Sequence, residues 1–190
     1  MWFSRWLSGA LEKESPRAEE NRVVCRQSLM GRMVERKYGD LAIHPDCSER
    51  MRPRADWFMR TFMVDAKKRA SFRLPSLLTS PGHEFWKWWE KLSVDAGEQG
   101  KRRLMILLDH NSKAHILAFG AGERRWLEDI VGLRWSQTPF PILRLDAYCL
   151  VGAEKETINF CEFEAFLRWA EPVALGCPEE KPNELPVTTS

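Results

Sequence analysis

Hydrophobic positions recur along the chain in two rhythms: a helical one through the first half and a short-run, strand-like one after residue 101. Trp2, Phe3, Trp6, Leu7, Ala10 and Leu11 fall at three- and four-residue spacing, which predicts a short amphipathic helix over 1–11. Packing on the main body is its expected role; a membrane-surface role asks for more cations on the polar side than Arg5. After a charged link at 12–20, Val23, Val24, Leu29, Met30, Met33 and Val34 predict a helix over 21–37, with Gly39 as its C-cap. The stretch from Arg50 to Arg73 carries the apolar stripe Trp57, Phe58, Thr61, Phe62 and Val64, and its plainest reading is another amphipathic helix. Ser80 and Pro81 read as N-cap and first residue of a helix through Phe85, Trp86, Trp88, Trp89 and Leu92. Three Trp in four positions cover more than one helix face, so Trp86 or Trp88 is expected to meet another element or another chain.

Asp95 to Gly100 reads as a loop. Beyond it, Arg103 to Leu108 and Ala114 to Phe119 predict two strands of a hairpin, with Asp109 to Lys113 as the turn. Gly120-Ala121-Gly122 then breaks the strand, and Trp126, Leu127, Ile130 and Val131 mark a helix over Glu123 to Leu133. Phe140 to Leu145 predicts a further strand, and Asn159 to Trp169 a final helix with Phe160, Phe163, Phe166 and Leu167 on one side. The Pro-containing, acid-leaning end reads as a flexible tail. The expected organisation is a helical region over 1–95, an α+β core over 96–171 and a tail over 172–190.

Composition narrows the class. A chain of 190 residues, 44% hydrophobic and 29% charged, fits one cored domain. The five cysteines form no CxxC or CxH pair, so a zinc site is not expected. No apolar run approaches the roughly 20 residues of a membrane span, and no signal peptide is visible, so a reducing cytoplasm is the expected location. Lys and Arg number 29 against 27 Asp and Glu, a net charge of +2, so any basic surface must be local. Such a place is 50–73, with eight basic residues and only Asp56 and Asp65 against them. Cations interleaved with aromatics are what a nucleic-acid surface needs, with Arg60, Lys67, Lys68 and Arg69 as the candidate phosphate contacts. The alternative is a solvated basic helix face.

The most informative stretch runs from His115 to Leu133 and on through Thr138 to Asp146. A strand runs into Gly120 and Gly122 and onto a helix N-terminus, where free N–H groups and the helix dipole favour an anion. Arg124 and Arg125 add two guanidinium groups suited to phosphate oxygens. Glu123 in the same turn repels phosphate unless it holds an arginine or a metal ion. Glu123, Asp109 and Asp146 are the candidate carboxylates for Mg²⁺ or for orienting a water, if the hairpin and the Phe140 strand share one sheet edge. The bland alternative is a tight strand-to-helix connection with solvated arginines. His110 and His115 flank the hairpin and read as structural or solvated. There is no Walker A lysine pattern, and no Gly-x-Ser-x-Gly elbow for a serine hydrolase.

Gly122-Glu123-Arg124-Arg125-Trp126, the helix after it and the Pro-Ile-Leu strand beyond resemble the central box of the ParB partition proteins, whose core is shared with sulfiredoxin. The resemblance implies a small mixed sheet with helices, in which Gly120, Gly122, Glu123, Arg124 and Arg125 line a nucleotide pocket; Asp146 is the further expected cofactor contact on the position of its strand. None of the cysteines lies between Phe119 and Trp126, so sulfinic acid reduction is not expected, and a ParB-type helix-turn-helix DNA reader is missing. With its Arg- and Trp-rich first half, the chain is also similar to plasmid fertility-inhibition factors of the Osa type. That resemblance implies ATP (or another nucleoside triphosphate) hydrolysis with Mg²⁺, DNA cleavage, and inhibition of conjugative DNA transfer at the coupling protein of a type IV secretion system. Recruitment to the inner membrane face would then come through the partner. The alternatives are a non-catalytic protein that binds a secretion component through its Trp-rich and basic surfaces, and nucleotide-gated DNA binding as in partition.

Overall fold

In the computed structural model, residues 2–26, 40–69, 74–80, 83–109, 115–131, 138–148 and 155–179 are described. In chain order the elements are α1 (Trp2–Leu7), β1 (Val24–Arg26), β2 (Leu41–Ile43), α2 (Arg52–Thr61), β3 (Phe62–Arg69), α3 (Leu74–Thr79), α4 (Glu84–Glu98), β4 (Arg102–Asp109), β5 (His115–Gly120), α5 (Ala121–Val131), β6 (Leu143–Tyr148), β7 (Lys155–Glu162) and α6 (Phe163–Trp169). β1 and β2 form a small antiparallel ladder; the other strands form one mixed sheet in the order β3-β4-β5-β7-β6. β3 and β4 are parallel, Phe62 level with Arg102 and Arg69 with Asp109. A parallel pair needs a crossover, which α3 and α4 supply. The remaining neighbours are antiparallel.

Period-two alternation sends each strand's apolar residues to two opposite cores. Phe62, Val64, Leu104, Ile106, Leu117 and Phe119 face the helices α1, α2, α5 and α6, meeting Trp6, Phe58, Leu127 and Phe166. Met63, Met105, Leu107, Ala118, Ile158 and Phe160 face α3 and α4, meeting Leu77, Phe85, Trp89 and Leu92. The expected α+β class, a small mixed sheet with helices, is thus present. Each large, fully buried side chain such as Phe58 or Phe85 contributes about 2–3 kcal/mol.

Several elements differ from the sequence reading. The expected single helix through 50–73 ends at Thr61, and Phe62 turns straight into a strand. Phe62 and Val64 continue the helical stripe on paper, but with Met63 and Ala66 they suit a strand buried on both faces. Edge strand β3 is therefore supplied by a stretch read as helical. The helix expected from Asn159 starts at Phe163, with the Glu162 carboxylate accepting the N–H groups of Glu164 and Ala165 as its N-cap. The run Ile158 to Cys161 belongs to β7 instead. In 21–37, Val24–Arg26 is a strand and 27–39 lie outside the described residues. α4 begins after His83, whose Nδ1 accepts from Phe85 N at 3.2 Å, rather than after Ser80, and runs on to Glu98 through part of the expected loop. Leu175 and Cys177, in the stretch read as the start of a tail, are buried in the first core. The hairpin turn at 110–114 and the end of the tail, 180–190, lie outside the described residues.

Candidate functional site

β5 passes into α5 without a loop: the strand ends at Gly120 and the helix begins at Ala121. Glu123, the third helical residue, reaches back so that its Oε2 accepts the Gly120 N–H at 3.1 Å, half of a capping box. The rest of the carboxylate is occupied by Arg103, which reaches it from the start of β4. Oε1 accepts from Arg103 N at 3.0 Å and from its Nε at 3.1 Å, and Oε2 accepts from Nη2 at 3.1 Å. An ionised carboxylate offers about four lone-pair sites, and all of them are taken. At 7% exposure Glu123 is closed to solvent as well. Its expected roles as metal ligand and catalytic carboxylate are corrected on this ground: it is the anchor of an arginine.

Arg103 continues the face of β4 that carries Met105 and Leu107, so its side chain enters the layer between sheet and α4. There Nη1 donates to Ser93 Oγ at 2.8 Å and lies 2.6 Å from Glu156 Oε1, while the guanidinium sits 5.0 Å from the Trp89 ring centroid. Trp89 Nε1 donates to Glu156 Oε2 at 2.8 Å and closes the network. Burial opposes the charge on Arg103, but hydrogen bonds and Coulomb attraction from Glu123 and Glu156 outweigh it and hold the group above its ordinary pKa. Gly120 leaves the room this needs. A Cβ there would collide with Arg103 Nη2 and stand 2.6 Å from Glu123 Oε2.

The preceding residue points to the opposite face of the sheet. Arg102 lies over the Trp126 ring at 4.2 Å, and Trp126 meets Phe62 edge-on at 5.7 Å. Burial pushes both Lys101 and Arg102 down from their ordinary values. The pair Arg102 and Arg103 therefore grips the first turns of α5 on two sides. Sequence reasoning missed this pair; the signal was a basic doublet opening a strand antiparallel to the one that ends at Gly120.

The other expected site residues are dispersed. Gly122 is exposed, with open space where a Cβ would stand. Arg125 is exposed; Arg124 is half-buried, its Nη2 3.5 Å from Glu128 one turn on. Asp146 lies two strands away at the same end of the sheet, roughly 10 Å from β5 by strand spacing. Its Oδ1 accepts from Thr157 Oγ1 at 2.7 Å and Arg144 Nε at 3.2 Å. Asp109 closes β4 six residues beyond Arg103, roughly 20 Å along the strand, so it is at the opposite end of the sheet from Glu123 and shares no metal with it. The side chain of Asp109 lies outside the described residues, as does that of Arg69.

The proposed phosphate stripe is divided in the same way. Arg60 is exposed at the end of α2 that leads into Phe62, whereas Lys67, Lys68 and Arg69 occupy the far end of β3, roughly 20 Å on. Lys67 lies 2.6 Å from Asp65 and 5.9 Å from the Trp88 ring centroid; Lys68 is exposed. Arg54 of the same basic segment is buried and donates to the carbonyls of Leu7 and Pro178. What the fold places at one end of the sheet, where α2 ends, β4 begins and α5 starts, is Arg60, Lys101, Arg102, Arg124 and Arg125.

Among the described residues the four cysteines are all held as thiols by burial; Cys149 lies outside them. Burial pushes Cys161 far up and Cys177 up to about 11. His115 Nδ1 lies 3.6 Å from Glu164 Oε1; His110 is outside the described residues. Among the described residues no group of three His, Cys, Asp or Glu side chains is placed to hold a metal ion, and no helix is long and apolar enough to cross a membrane. A cleft of about 480 Å³ lies elsewhere, between α1 and α6, and borrows no residue from α5 or β4. A scan against protein-family models, a search of curated proteins and a search of solved structures each find no match to this chain.

Proposed function

We propose that the chain is a fertility-inhibition factor with a ParB/sulfiredoxin-type core, binding a nucleoside triphosphate, ATP first among them, at the start of α5. In this reading it meets DNA at the same end of the sheet and blocks DNA transfer through a type IV secretion system. It would work in the cytoplasm, at the coupling protein on the inner membrane face. The observation that carries the reading is the placement of Arg60, Lys101, Arg102, Arg124 and Arg125 at one end of the sheet, where α2 ends, β4 begins and α5 starts, with open space at Gly122. Strand, glycine, Glu-Arg-Arg-Trp helix and return strand follow in the order that the resemblance implies.

Phosphoryl transfer asks mainly for positioning and charge neutralisation. Arg124 and Arg125 supply the cations. Glu123 holds the turn that presents them, through Arg103 and the Gly120 N–H. Mg²⁺ keeps several waters and would bind here chiefly through the phosphates; of the expected carboxylates, Asp146 lies at this end of the sheet, two strands from β5 and engaged by Thr157 and Arg144.

A titration with ATP, CTP and GTP, each with and without Mg²⁺, tests the reading. The double variant Arg124→Ala/Arg125→Ala should lose affinity at least about tenfold, since charge-assisted hydrogen bonds carry about 1.5–3 kcal/mol each, and should lose inhibition of conjugative transfer with it. A second reading, a non-catalytic protein that binds a secretion component, is favoured by the full engagement of Glu123 and by the half-buried Trp86 and Trp88 on α4. Inhibition that survives in the arginine variant and disappears in Trp86→Ala would transfer the assignment to it.

A further inference from the structure

The two edges of the large sheet are treated differently. At β3, Asp40 occupies the edge: its N–H donates to Val64 O at 2.8 Å and its Oδ2 accepts from Ala66 N at 2.8 Å. Lys67 and Lys68 add like charges that oppose pairing with another copy. β6 is the opposite terminal strand, and no strand among the described residues pairs with its outer side. Leu143 on it is 51% exposed. Leu145, two residues on and so on the same face, packs against the core beneath α4. Arg144 and Asp146 occupy the other face, pair with each other at 3.2 Å, and keep 59% and 35% of their side-chain surface in solvent.

The charge order along β6 is its own complement. Laid antiparallel about Leu145, two copies place Arg144 opposite Asp146 of the second copy, Asp146 opposite Arg144 of the second copy, and Leu145 opposite itself. Opposite charges directly across an antiparallel pair stabilise it and like charges destabilise it. A two-fold arrangement satisfies both ion pairs at once, as an isologous interface requires. We propose that β6 is a self-association edge, through which two copies of this chain pair antiparallel and join their five-stranded sheets into one continuous sheet.

Sedimentation of the full chain, with the circular dichroism of each variant checked first, tests this. The wild type should move with concentration from 22.2 kDa towards twice that mass. Arg144→Asp alone and Asp146→Arg alone each set two like-charge pairs across the dyad and should weaken association at least about tenfold. An equimolar mixture of these two variants restores both ion pairs between unlike copies, and the double variant Arg144→Asp/Asp146→Arg restores them between like copies; both should associate as the wild type does. A mass that stays at one chain up to roughly 1 mM, single variants that associate like the wild type, or a mixture no tighter than its components would each overturn the proposal.

Discussion

Glu123 shows how much a single carboxylate's meaning depends on its partners. As an acid in the first turn of a helix it was legible in the sequence, and so was the condition that it must hold an arginine or a metal. Its partner was not, because Arg103 precedes it by 20 residues and only the antiparallel register of β4 and β5 brings them level. Gly120 has the same history: read as a loop glycine for a phosphate, it is the place where a buried ion network passes close to the backbone. Gly120→Ala should therefore destabilise the fold by about 2–4 kcal/mol, through displacement of Arg103 and Glu123. Urea unfolding checks it, and an unchanged midpoint would contradict the assignment.

At the scale of elements, the hairpin β4–β5, the helix α5 and the Trp-rich helix α4 were visible in the sequence because their apolar periods are unambiguous. The transitions α2 to β3 and β7 to α6 were not. Phe62 follows Phe58 by four and precedes Val64 by two, and Phe160 precedes Phe163 by three and follows Ile158 by two, so each sits in a helical and an extended pattern alike, and tertiary pairing decides between them. β3 also carries a titration that its edge position imposes. Burial raises the pKa of Asp65 above its ordinary value, with Lys67 opposing and Asp40 reinforcing. A carboxyl raised in the folded state contributes stability that is complete below the unfolded pKa, about 4, and lost as pH rises through the folded one. Asp65→Asn should consequently be more stable than the wild type at pH 7 and equal to it near pH 3. Paired unfolding curves at the two pH values decide it; an advantage that appears only at the acidic pH would reverse the sign.

Across the whole molecule, a balance of 29 basic against 27 acidic residues conceals an uneven distribution that neither the total nor the local count could reveal. The excess at 50–73 looked like one surface, yet folding buries Arg54 and separates Arg60 from Lys67, Lys68 and Arg69. Arg60 instead lies at the same end of the sheet as Lys101, Arg102, Arg124 and Arg125, which come from two other places in the chain. The central claim is that this end of the sheet takes a nucleotide through Arg124 and Arg125 while Glu123 serves the fold. Thermal unfolding with and without ATP and Mg²⁺ separates the two roles, because a ligand that binds only the native state stabilises it by about 2.7 kcal/mol at a hundredfold excess over Kd, a shift of several degrees for a chain of this size. The wild type should gain that shift. Glu123→Gln should start at a lower Tm and still gain it, while Arg124→Ala/Arg125→Ala should start near the wild-type Tm and gain none. A Glu123→Gln protein with the wild-type Tm but no response to nucleotide would contradict the account.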